Sequence, residues 1–174
     1  MNRILGTITT LDQHFNEIAN GGAAYRPANC PHCQAAGLWR HGCYHRKACR
    51  SEARRNPVAI LRFLCNACLR TCSRLPACIA PRRWYDWAIQ QVVLLLLLAG
   101  VSLHQGCRQT GCARSTLRRW RDWLQTRSAQ FSFFLRSRLP VLGRLPEPDF
   151  WPQVISSMSL ARVMTQLDQD LVVP

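Results

Sequence analysis

Two short cysteine motifs carry the clearest chemistry in this sequence. Cys30-Pro-His-Cys33 and Cys65-Asn-Ala-Cys68 are Cys-x2-Cys knuckles separated by 31 residues. A knuckle of this kind turns the chain so that two thiolates face one centre, and two knuckles complete the tetrahedral four-sulfur set that structural zinc prefers. Cys30, Cys33, Cys65 and Cys68 are the expected ligands and Zn2+ the expected cofactor. With protein sulfur in every position, no place remains to activate a water, so the centre would be structural. A stretch of about 50 residues buries little apolar surface alone; zinc, worth on the order of 10–16 kcal/mol in finger peptides, would make up the difference.

The other cysteines of the ten read differently. Cys43 and Cys49 lie between the knuckles, and Cys72 and Cys78 follow the second. His41, Cys43 and His45 alternate, which would put them on one strand face; strand side chains beside nucleic acid are the simpler reading than a second metal site. Cys107 and Cys112 read as small core residues. Residues 1–25 hold Asp12, His14, Asn16 and Glu17 where a secretory signal needs an apolar core. The longest apolar run, Val92 to Val101, is about half a membrane span. A reducing, cytoplasmic and nucleoid-associated setting is expected, with no membrane partner.

A second constellation runs from Ser102 to Trp120 and has the form of a helix-turn-helix. Cys107 is the small residue inside its second helix, Gly111 marks the turn, and Leu117 and Trp120 are the apolar positions of the third helix. That third helix would read the major groove. Arg114, Ser115 and Thr116 would face base edges or nearby phosphates, and Arg118, Arg119 and Arg121 the backbone or further bases. Three positions depart from the usual pattern: Gly106 and Thr110 where aliphatic residues are common, and Ala113 where Ser often caps the helix. A mid-helix Gly costs about 1 kcal/mol against Ala and a missing cap about as much.

The charge agrees with a polyanionic partner. The chain carries 23 basic and 9 acidic residues, a net of +14. All the basic residues but Lys47 are Arg, whose planar fork suits phosphates and guanine edges. Between residues 26 and 127 there are 18 basic side chains and 3 acids. Arg40, Arg46 and Lys47 on the ribbon join the third helix as expected DNA contacts.

The elements needed to position these residues are legible in outline. Thr10 to Ala19 reads as a helix stopped by Gly21-Gly22. Leu38–Arg46 and Val58–Leu64 are strand-like, with Lys47–Pro57 as a charged loop between them. Arg82 to Gly100 reads as a helix whose apolar run, Val92 to Leu98, implies enclosure by neighbours. Ser102 would cap the next helix with Gln105 as its capping-box partner. The third helix spans about Arg114 to Arg127, a Pro-rich linker runs from Pro140 to Pro152, and a last amphipathic helix from Gln153 to Leu171. The fold class is α+β: a small β zinc ribbon (26–80) after an N-terminal arm (1–25), then a helix-turn-helix domain (81–127) and a helical tail (128–174). In the tail, Phe131, Phe133, Phe134 and Trp151 are expected in the core, with a dimer contact as the other use.

The segments Cys-Pro-His-Cys, Leu38–Arg46, Arg62–Thr71 and Leu75-Pro76 together resemble the N-terminal zinc ribbon of bacterial insertion-sequence transposases. The chain is especially similar to mobile-element-associated proteins that join this ribbon to a helix-turn-helix, over about residues 26–127. The resemblance implies the same four cysteine ligands and the same reading helix. Cys72 departs from it, since the relatives tend to have an aromatic residue there.

The expected function is sequence-specific binding of double-stranded DNA, as a transposition accessory factor or a transcriptional regulator. A transposase encoded by the same element is an expected partner, and a homodimer is expected if the target is palindromic. No enzyme activity is expected. A full transposase needs three carboxylates around two metals, and the acids from Asp122 onward are Asp122, Glu147, Asp149, Asp168 and Asp170. A non-catalytic remnant of a truncated transposase, an RNA-binding ribbon and a protein adaptor acting through the tail are the competing readings.

Overall fold

The computed structural model describes residues 3–47, 53–81 and 85–168. It is an α+β protein that divides into two compact units between Asp86 and Trp87.

In the first unit, β2 (Leu38–Arg46) pairs antiparallel with β3 (Val58–Cys65), and β3 with β4 (Thr71–Cys72). β3 follows from its β-branched and aromatic Val58, Ile60 and Phe63, and β2 from the aromatic Trp39 and Tyr44. A bulge interrupts β2 between Arg40 and Cys43, where Gly42 adopts φ 74°. The bulge breaks the alternation, so His41 does not keep the face register with Cys43 and His45 that unbroken pleating would give. β3 is buried along one face and, at its start, on the other. Leu61, Phe63 and Cys65 pack with Leu5, Ile8, Tyr25, Cys30 and Leu38, while Val58 and Ile60 pack with Leu75 and Ile79.

Residues 1–25 belong to this unit rather than forming a separate arm. β1 (Ile4–Leu5) pairs parallel with β5 (Leu75–Pro76), and Leu5 and Ile8 enter the core. The chain then forms α1 (Leu11–Ala19), opened by a capping box in which Gln13 N–H donates to Thr10 Oγ1 and Gln13 Oε1 accepts from Thr10 N–H. His14 on α1 is buried. Its Nε2 lies 3.0 Å from the Ala59 carbonyl, which can only accept, so Nε2 carries the proton and Nδ1 accepts from the Tyr25 hydroxyl at 2.6 Å.

The second unit is a helical bundle around α2 (Trp87–Leu98), with α3 (Leu103–Thr110), α4 (Arg114–Arg138), α5 (Glu147–Ser157) and α6 (Leu160–Leu167). Gln91 fastens it: its Oε1 accepts from Leu160 N–H at the start of α6, and its Nε2 donates to the Ile155 carbonyl. The run from Val92 to Leu98 is only partly enclosed, contrary to expectation. Val93 and Leu94 are buried, but Val92 is 51% and Leu98 38% exposed, because helices from this short chain cover one side of α2. Residues 82–84, the expected start of that helix, lie outside the described residues.

The tail also differs from expectation. α4 runs on to Arg138, since no Gly or Pro occurs before Pro140. The Pro-rich stretch is not all linker, because α5 starts at Glu147 and uses Pro148 in its first turn, where proline costs no hydrogen bond. The last amphipathic segment is broken at Met158, leaving α5 and α6. Phe131 and Trp151 are buried as expected, with ring centroids 6.4 Å apart. Phe133 is 67% exposed and Phe134 half-buried.

Burial pulls the His14 imidazole below its ordinary value, against a weaker upward pull from the Ala59 carbonyl. A His whose folded value is lowered adds stability above its unfolded value, near pH 6.5, and that stability is lost as pH falls through the folded value. NMR should find His14 neutral, with the proton on Nε2, at about pH 6.5. An imidazolium there would contradict the buried hydrogen-bond pair.

Candidate metal centre and helix-turn-helix

The two knuckles are built alike, residue for residue. In the first, Cys30 N–H donates to the Ala35 carbonyl, Gln34 N–H donates to the Cys30 carbonyl, and Gln34 takes φ 60°. In the second, Cys65 N–H donates to Arg70, Leu69 N–H donates to Cys65, and Leu69 takes φ 56°. A positive φ on these side chains is unusual, and the same position carries it in both turns. The backbone thus folds back twice in the same way and aims two pairs of thiols inward.

The thiols converge. The sulfurs of Cys30, Cys33, Cys65 and Cys68 all lie within 4.8 Å of one another. Cys30 Sγ is 3.6 Å from Cys68 Sγ, and Cys33 Sγ is 3.6 Å from Cys65 Sγ. A tetrahedron with metal–sulfur bonds of about 2.3 Å has an edge of about 3.8 Å, so the donor set fits a zinc-sized ion. The separations are well beyond a disulfide bond of about 2.0 Å. This is the one such grouping of Cys, His, Asp or Glu among the described residues.

The protonation of the four reflects their crowding. Burial disfavours the Cys30 thiolate. The N–H groups of His32 and Cys33 and the Cys65 and Cys68 thiols outweigh that and bring Cys30 down to about 6. For Cys33 the Ala35 N–H favours the thiolate, but desolvation and the sulfurs of Cys65, Cys68 and Cys30 push it up to about 12. One anion forms easily and a further one is resisted, as expected when thiolates crowd without a cation between them. A divalent ion reverses that resistance.

Cys72 stays outside the four. It pairs with Phe63 on the core side of the sheet, and burial, then the neighbouring sulfurs, raise its thiol. Cys78 is half-buried against Ile60 and its neighbours, Cys43 is exposed, and Cys49 lies outside the described residues. Cys112 is buried and Cys107 half-buried.

The helix-turn-helix segment folds as α3, a turn and α4. The Ser102 hydroxyl caps α3 by accepting from Gln105 N–H at 3.2 Å. Gly111 ends α3 with φ 65°, its N–H donating to Cys107. Two departures from the usual pattern now have physical reasons. The Thr110 hydroxyl donates to the Gly106 carbonyl and accepts from Cys112 N–H, closing the turn. Gly106 is buried where α3 meets α4, and a Cβ there would lie 2.9 Å from Leu117 Cδ2. Ala113 supplies no side-chain cap, so the start of α4 keeps backbone N–H groups directed outward.

The expected reading residues divide into three groups. Ser115, Arg118 and Arg119 are exposed and Thr116 half-buried on the outer side of α4, while Leu117, Trp120 and Leu124 face the core. Arg114 is exposed and its guanidinium meets His104 Nδ1 on α3 at 2.8 Å. Arg121 places both Nε and NH2 on the Asp122 carboxylate, at 3.0 and 2.9 Å, which neutralises part of its charge. On the ribbon, Arg40 and Lys47 are exposed, but Arg46 is half-buried and donates to the Ala80 carbonyl. Sequence reasoning passed over the groove on α3 lined by His104, Gln105, Arg108 and Gln109, and over Trp39 on β2. Exposed polar spacing on so short a helix could have flagged the first.

Cys33→Ser should cut bound metal well below one ion per chain, while Cys43→Ser and Cys72→Ser should leave it unchanged in a metal assay. Binding to thiolates displaces protons, so metal should leave as pH falls and return as it rises; chelator-dye release that ignores pH would contradict this. Gly106→Val should lower unfolding stability by about 1–3 kcal/mol through overpacking against Leu117, read by denaturant titration.

No helix among the described residues is long and apolar enough to cross a membrane. No curated protein and no solved structure matches the chain. Residues 30–120 match the model of one protein family, from the first knuckle cysteine to Trp120 on the core side of α4. Because that match takes in both the four cysteines and the helix-turn-helix, the chain belongs to the family described as a domain of unknown function (DUF6431).

Proposed function

We propose that this is a zinc-dependent, sequence-specific double-stranded DNA-binding protein of the mobile-element type, acting as an accessory factor or regulator without cutting DNA. The observation that carries the reading is the start of α4. An uncapped helix N-terminus and the exposed Ser115, Arg118 and Arg119 share an outer face with few acids, on a helix whose other face is locked into a core. A helix presented in this way fits the major groove, with its N–H groups suited to phosphate.

The zinc centre's part is structural: Cys30, Cys33, Cys65 and Cys68 would hold the ion, and the ion would hold the knuckles. Arg40 and Lys47 add phosphate contacts from the ribbon. Arg114, the first residue of the reading helix, is held against His104 on α3. The similarity of the knuckle segments to insertion-sequence transposases supports a mobile-element setting and a transposase as partner. The reading without catalysis is supported by where the carboxylates go. Asp122 is engaged by Arg121 and Glu147 by Arg136, on separate parts of the unit, where a two-metal site needs acids drawn together. Nucleoid association would follow from DNA affinity.

Selection from a random duplex pool should enrich one motif. Arg118→Ala or Arg119→Ala should weaken binding to it by about 1–3 kcal/mol where the side chain reads a base. Binding should also fall steeply with salt. A pool that returns unenriched, or structured RNA that outcompetes the duplex, would overturn the reading.

A further inference from the structure

The ribbon has a surface that neither the metal centre nor the helix-turn-helix uses. Paired residues of an antiparallel sheet share a face. Trp39 pairs with Leu64 and Leu64 with Thr71, forming one row across β2, β3 and β4. Arg62 and Ile60 continue that face along β3 by alternation, and Tyr44 pairs with Ile60. The Arg62 guanidinium lies 5.5 Å from the centre of the Tyr44 ring.

One end of this face is closed, where Val58 and Ile60 pack with Leu75 and Ile79. The other end is open. Trp39 is 64% exposed, Thr71 is exposed, and Leu64 and Arg62 are half-exposed. Arg62 is the basic side chain of this face, while Arg40 pairs with Phe63 and, like Arg70 opposite Cys65, belongs to the other face. Residues 26–81 hold ten basic side chains and a single acid, Glu52.

An exposed indole on the same face as a guanidinium, in a strongly basic ribbon, has a matching ligand chemistry. The flat ring suits a base and the guanidinium suits a neighbouring phosphate. A closed duplex keeps its base faces stacked, so only an unpaired strand can offer one. We propose that this open end of the sheet is a platform for single-stranded DNA, with Trp39 stacking on a base and Arg62 taking a neighbouring phosphate. It is a second nucleic-acid surface, separate from duplex reading by α4, and suited to a strand exposed at an opened or cut end.

Full-length, zinc-loaded protein can be tested by fluorescence anisotropy against a labelled oligothymidine of about ten nucleotides and against a blunt duplex. Trp39→Ala should weaken oligothymidine binding about tenfold or more, and Trp39→Phe, which keeps a ring, should retain most of it. Both should leave metal content and duplex affinity unchanged, whereas Arg118→Ala should weaken only the duplex. Wild-type oligothymidine affinity in Trp39→Ala with its zinc intact overturns the platform, as does tighter binding to oligouridine, which would assign the surface to RNA. Trp39-dependent oligothymidine binding without any duplex binding would support the platform and sink the duplex reading alone.

Discussion

Convergence of four thiols on one point is the constraint from which the first unit follows. The sequence offers that unit two strands of useful length, one of them buried along one face and at the start of the other, and a handful of core side chains. Such a core is small for the backbone it must order. The knuckles are held by matched backbone hydrogen bonds at each turn, and their sulfurs are spaced for a shared cation. Without a cation the same arrangement works against itself, since the Cys30 thiolate forms readily while Cys33 resists. A bound divalent ion would convert repulsion among the sulfurs into bonds that fix the strands.

The second unit is held by apolar burial instead, and α4 has two jobs in it. Leu117, Trp120, Leu124, Phe131 and Leu135 recur along one side of 25 helical residues and anchor the bundle. The other side of its first half is left to arginine and small polar residues. Anchoring the C-terminal half gives the N-terminal half a fixed pitch and orientation, as the proposed groove reading would require. The close approach at Gly106 serves the same end, because it sets how tightly α3 seats on α4.

Much of this was legible in the residues themselves. Paired Cys-x2-Cys spacing located the four converging thiols because metal-ligand chemistry fixes both residue type and separation. Gly111, Ser102 and the Leu117/Trp120 pair located the helix-turn-helix, since turns and caps have local causes. What could not be read depended on contacts across the chain. Ile4 and Leu5 look like a loose arm until Leu75 and Pro76 arrive to pair with them. Gly106 and Thr110 look like defects until Leu117 and the Gly106 carbonyl are in place. The apolar run of α2 suggested full burial, but periodicity gives no count of the neighbours available to cover it. The Asp122 pairing with Arg121 and the internal use of Arg46 also lie beyond charge counting, which records a side chain's sign but not its partner.

X-ray absorption at the zinc edge, on the purified full chain, tests the central claim most directly. The arrangement of Cys30, Cys33, Cys65 and Cys68 calls for a single shell of four sulfurs at about 2.3 Å. A shell containing nitrogen or oxygen, or fewer than four sulfurs, would contradict it.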